Sequence, residues 1–81
     1  MKIRILITLK KAVLDTQGKA IEASLQKNLG FAQISQVRQG KVVELDVVET
    51  DPIKIKKIVD EICDKLLVNK IIEDYSYEIL N

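Results

Sequence analysis

Eighty-one residues with 47% apolar content and a net charge of +1 suit one globular domain, residues 1–81, and leave no room for a second core. A single cysteine, Cys63, and no histidine exclude an internal disulfide, a histidine-dependent triad and every Cys/His metal cluster. The charge is unevenly spread: residues 1–41 carry eight Lys/Arg and two Asp/Glu, whereas residues 42–81 carry five and ten, which reads as solvated surface or as a basic face for a phosphate or an acidic partner.

The run KIRILITL, Lys2 to Leu9, alternates Ile3, Ile5, Ile7 and Leu9 against Arg4, Leu6 and Thr8, the period of a strand whose second face is also partly covered at Leu6. It is too short and too alternating to span a bilayer or to serve as a signal peptide, so the expected address is the cytoplasm. From Gln17 the residues Ala20, Ile21, Ser24, Leu25 and Leu29 recur at three and four, predicting an amphipathic helix capped by Asp15 or Thr16. Gly30 closes it in the left-handed conformation, folding Phe31 back towards Leu25. QISQVRQGKVVELDVV then reads as two extended runs turning at Gln39-Gly40, a hairpin in which glycine supplies positive φ. In the second run Val43, Leu45 and Val47 oppose Glu44 and Asp46, so one face is buried and the other wet. Asp51 and Pro52 open a second helix with the stripe Ile55, Val59, Ile62, Cys63 and Leu66 and an outward pair, Glu61 with Lys65. Asn69 ends it, and Tyr75, Tyr77 and Ile79 alternate along a last strand.

The order β-α-β-β-α-β predicts an α+β, ferredoxin-like fold: an antiparallel sheet with both helices on one face. A sheet of this size leaves a face or edge open, and a chain this short buries only about 60% of its unfolded surface. A second copy, associating through the sheet, is the expected cover.

Little in the chain supports chemistry. Cys63 lies on an apolar stripe and reads as a packed, inert thiol, and the carboxylates do not pair for acid–base work. Gly18-Lys19 invites comparison with a P-loop, but that pattern needs glycine at position 13 and a hydroxyl at position 20, where Val13 and Ala20 stand. The topology is also that of an RNA-recognition module, yet the first strand lacks the stacking aromatics that such modules use. Two polar, glycine-bearing loops remain as candidate contact sites: Asp15, Gln17, Gly18 and Lys19 in one, Arg38, Gly40 and Lys41 in the other.

VLDTQGKAIEASL, LGF, VRQGK followed by VVELDV, and CDKLLVNKIIEDYSYEI together resemble the PurS family, the small subunit of bacterial and archaeal phosphoribosylformylglycinamidine synthase. Two positions depart from the family's pattern, which usually has proline where Thr16 and Lys70 stand. The resemblance implies no catalytic residue and no cofactor on this chain. It implies self-association as a dimer or tetramer, and partners in a large synthetase subunit (PurL), which uses ATP and Mg, and a glutaminase subunit (PurQ). The complex would convert formylglycinamide ribonucleotide, ATP and glutamine to formylglycinamidine ribonucleotide, ADP, phosphate and glutamate, with this chain as the bridge that helps ammonia pass. The alternatives from other classes are an ACT-like metabolite-binding module, although Lys10 to Leu14 separate the first strand from any glycine, and a purely structural oligomer.

Overall fold

The computed structural model describes residues 1–80. Strand β1, Lys2–Leu9, is the centre of a three-stranded antiparallel sheet, flanked by β2, Gly40–Asp46, and β3, Glu73–Leu80. Ile5 lies opposite Val43 on one side and Tyr77 on the other, so the alternation read from all three strands falls in one register. Ile3, Ile5 and Ile7 are almost wholly buried on one face. On the opposite face Arg4 reaches Glu44 at 2.8 Å and Glu78 at 3.3 Å across both neighbours, while Leu6 and Val42 stay exposed.

Helix α2, Pro52–Ile62, widens into a π-turn, Cys63–Leu67, and supplies the other half of the core. Asp51 accepts from Ile53 N at 3.0 Å, and Pro52 occupies the first turn, where its missing N–H costs nothing. Ile55, Val59 and Cys63 then fall on one side and are fully buried with the β1 isoleucines. Each such aliphatic side chain contributes about 1.5–3 kcal/mol by leaving water. The Tyr75 phenol donates to Asp60 at 2.8 Å, tying β3 to α2. That bond and partial burial push the phenol up to about 12. The expected Glu61–Lys65 pair forms at 2.6 Å. Asn69 organises the exit, its carbonyl accepting from Ile72 N and Glu73 N.

The α+β, ferredoxin-like class holds, and two expectations within it do not. Helix α1, Thr16–Ala23, with its π-turn Ser24–Asn28, does not lie on the sheet beside α2. Its one buried residue is Gly18, and among the described residues no α1 side chain belongs to the core. The helix and its irregular returning segment form an arm, which stretches the molecule to 48 × 28 × 15 Å. Its radius of gyration is 16.1 Å, against about 12 Å for a compact chain of this length. The second correction concerns Gln33 to Arg38, which forms no strand. Gln36 takes φ 56°, breaking the extended run, and Gly40, expected to turn a hairpin with positive φ, instead begins β2. The N–H groups of Val37 and Gln39 go to side chains of the outgoing limb, Glu22 at 2.9 Å and Asp15 at 2.6 Å, rather than to a neighbouring strand. The arm's far end is as expected: Gly30 has φ 77°, and Phe31 N donates to Leu25 O at 2.8 Å.

Candidate functional site

The two loops singled out from the sequence meet at the neck of the arm, where the chain leaves β1 and returns to β2. Asp15 joins them. One carboxylate oxygen accepts from Gly18 N at 2.8 Å, the helix-capping bond expected of it, and the other accepts from Gln39 N at 2.6 Å. The side chain is only 4% exposed. The N–H groups of Gln39 and Gly18, helped by the nearby Arg38 guanidinium, hold its carboxyl below the usual aspartate value.

Gly18 is required there by space rather than by φ. A Cβ at this position would sit 2.4 Å from Val37 O and 2.7 Å from an Asp15 carboxylate oxygen. Absence of a side chain lets the outgoing and returning limbs touch. Gly40 has the same use one layer down, since a Cβ on it would lie 2.8 Å from Ile7 O.

Arg38 points back into the neck. It donates to Lys10 O at 3.0 Å, Val13 O at 3.2 Å and Leu9 O at 3.4 Å, gathering the carbonyls of the segment that links β1 to α1. Lys41 faces elsewhere: it pairs with Glu73 at 3.2 Å, and Glu73, 8% exposed, also accepts from Asn69 N at 2.8 Å. The Asn69 N–H and then Lys41 hold the Glu73 carboxyl below its ordinary value. Gln17 lines a cavity of about 220 Å³ between Asp15, Lys41 and Glu73. Lys19 projects on the other side into a hollow of about 380 Å³ shared with Lys11, Gln36 and Arg38. Its ammonium lies 4.0 Å from Glu22.

The structure thus brings Asp15, Gly18 and Arg38 into one clasp and sets Gln17, Gly40 and Lys41 around one cavity, with Lys19 outside both. Sequence reasoning missed Glu22, Gln36 and Lys11. Only Gln36 had a readable signal, because Ile34 and Val37 are spaced by three and cannot share one face of a strand. Among the described residues no group of three or more His, Cys, Asp and Glu side chains is placed to hold a metal ion. Cys63 is fully buried, and burial pushes its thiol up. No described helix is long and apolar enough to cross a membrane.

Fold and neck together define a small ferredoxin-like α+β module whose polar loop residues are largely committed to holding backbone in place. The chain belongs to the PurS family: residues 2–81 match the family model described as PurS, phosphoribosylformylglycinamidine (FGAM) synthase. A Synechocystis protein named phosphoribosylformylglycinamidine synthase subunit PurS is 43% identical over 94% of this chain and 75% of its own length. The solved structure of Bacillus subtilis PurS superposes with a TM-score of 0.87 at 38% identity, covering 99% of this chain and 98% of that one. A chain in the structure of PurLQS from Thermotoga maritima superposes with a TM-score of 0.89 at 32% identity, over 98% of this chain and 95% of that one.

Proposed function

We propose that this chain is the non-catalytic small subunit of a phosphoribosylformylglycinamidine synthase. It bridges the ATP-using synthetase subunit and the glutaminase subunit in the cytoplasm and helps ammonia released from glutamine reach the site where formylglycinamide ribonucleotide is aminated. The observation that carries this reading is the likeness, over nearly the whole chain, to a chain of a three-component PurLQS structure. ATP and Mg then belong to the large subunit. The small subunit contributes surface: a rigid neck with Asp15, Gln17, Gly18, Lys19, Arg38, Gly40 and Lys41 set around two adjoining hollows. That neck docks a partner subunit, because its backbone is pinned from both limbs and its cations Lys19 and Lys41 are more than 60% exposed. Self-association as a dimer or tetramer covers surface that the monomer leaves open, beginning with Leu6 and Val42 on the free face of the sheet.

The test is reconstitution with the synthetase and glutaminase subunits. The three chains are expected to co-purify, and omission of this one should depress glutamine-dependent turnover far more than ammonia-dependent turnover. Equal dependence of both activities would remove the bridging role. Lys41→Ala is expected to weaken assembly while leaving the circular dichroism spectrum unchanged. Arg38→Ala should weaken it and loosen the neck as well, since Arg38 holds three carbonyls there.

A further inference from the structure

The basic half of the chain gathers much of its charge in one place. Residues 1–41 hold only two carboxylates, Asp15 and Glu22, against eight Lys/Arg, and the fold commits both carboxylates to backbone. Asp15 accepts from Gly18 N and Gln39 N, and Glu22 accepts from Val37 N at 2.9 Å. Arg4, Lys10 and Lys41 are paired with acids of the other half, Glu44, Asp74 and Glu73. Of the five remaining cations, Lys11, Lys19 and Arg38 border the one hollow of about 380 Å³ beside the neck, a volume in the range of small-molecule sites. Lys19 reaches Glu22 only at 4.0 Å, and among the described residues neither Lys11 nor Arg38 forms an ion pair with a carboxylate.

The walls of this hollow are fixed without a ligand. Arg38 gives three N–H bonds to Leu9 O, Lys10 O and Val13 O, which holds the guanidinium plane in place and leaves two of its five donors and its charge available. Gln36 lines the same hollow with φ 56°, and it is the one non-glycine residue in the left-handed region among the described residues. Such a conformation persists where surrounding bonds over-determine it, and it concentrates at sites that hold ligands. Here the next amide, Val37 N, is pinned by Glu22. Asp15 also borders the hollow, but it is 4% exposed and both its oxygens are taken by N–H groups, so it opposes an entering anion only weakly. Lys11 and Lys19 are exposed, and their flexible ammonium groups are free to close on a charge that the fixed guanidinium has located.

We propose that this hollow binds a phosphoryl group, with the Arg38 fork and the Gln36 amide donating to its oxygens and Lys11 and Lys19 meeting its remaining charge. Three cations brought from three separate segments match a dianion better than a lone carboxylate, which would leave more of their charge uncompensated. The site is no P-loop, because its donors are side chains distant in sequence rather than the amides of a glycine-rich turn. It goes beyond the docking role given to the neck, since Lys41 takes no part in it and no second kind of subunit is needed.

Amide chemical shifts of the full-length chain in low-salt buffer, titrated with inorganic phosphate and separately with adenosine monophosphate, test it. Saturable changes centred on Lys11, Lys19, Gln36 and Arg38 are expected, with a dissociation constant in the millimolar range or tighter. Lys11→Gln with Lys19→Gln should weaken binding at least tenfold while the circular dichroism spectrum stays unchanged. Lys54→Gln with Lys57→Gln, which removes the same charge from exposed positions on α2, should leave binding unaltered. Equal weakening by the two pairs, or shifts spread over the whole surface, means general attraction of anions and overturns the site. Equal affinity for the two probes supports a site for the phosphoryl group alone, and tighter binding of adenosine monophosphate supports a site for a phosphate ester. Absence of shifts with both, or shifts at these residues only with a glutamate-rich peptide, overturns the proposal.

Discussion

Replacing Gly18 by alanine sets two rules against each other. In an ordinary helix interior the change stabilises by about 1 kcal/mol, because alanine has the higher helix propensity and the unfolded chain loses freedom. At this neck the new Cβ falls 2.4 Å from Val37 O, 2.7 Å from a carboxylate oxygen of Asp15 and 3.0 Å from its Cγ. None of these is the far end of a flexible side chain, since Val37 O is backbone and Asp15 is fixed by two hydrogen bonds. Forcing a methyl group into such a site costs typically about 1–3 kcal/mol, which outweighs the gain in propensity. Gly18→Ala is therefore expected to lose about 1 kcal/mol net, and a domain of this size then melts about 4–8 °C lower. The assay is thermal unfolding followed by circular dichroism at matched protein concentration, because self-association makes Tm depend on concentration. A Tm equal to or above the parent's would refute the close approach of the two limbs, and with it the neck.

The Asp15 carboxyl is held below its ordinary value in the folded chain, so its contribution to stability is present above the unfolded value of about 3.9 and is lost as pH falls through the folded value. Melting temperatures of the parent and of Asp15→Asn should differ most near neutrality and converge below about pH 4; a gap that stays constant from pH 6 to pH 3 contradicts the assignment. Cys63 is buried and its thiol pushed up, so a thiol reagent should modify it only after denaturant is added, and rapid reaction of the native chain would displace α2 from the core. Ile55→Ala deletes a fully buried side chain at the centre of that helix's packing and is expected to lower the urea unfolding free energy by about 2–5 kcal/mol. A loss under 1 kcal/mol would mean that α2 does not seal the sheet.

Much of the fold was legible because local rules and burial agreed. Ile3, Ile5 and Ile7 alternate in the sequence and are buried together; Asp15 and Asp51 cap the helices as their chemistry suggests; Gly30 takes positive φ where a helix must end. The strand expected over Gln33 to Arg38 failed because its residue types favour extension only when a neighbour accepts the backbone bonds. Glu22 and Asp15 claimed the amides of Val37 and Gln39 first. At the neck the sequence singled out two loops that the structure brings together, without showing that one carboxylate joins them. Asp15 and Gly18 are three residues apart, a spacing that announces a cap, whereas Asp15 and Gln39 are distant in the chain and no pattern relates them.

The Gly18-Lys19 pair illustrates where that boundary falls. The sequence by itself determined that it lacks the spacing of a P-loop and that a helix begins beside it, and the chain's motifs resemble those of the PurS family. The first two conclusions depend on nearest neighbours and periodicity, which a linear string records in full, and the third on likeness to other sequences. Only the tertiary structure decided that Gly18 is the contact point of two limbs, that Lys41 turns to Glu73 while Arg38 turns inward, and that α1 stands away from the core. An amphipathic stripe says that a helix must be covered, and it is silent about which surface does the covering. That choice is made by the few hydrogen bonds that aim the helix, and their partners lie far apart in sequence.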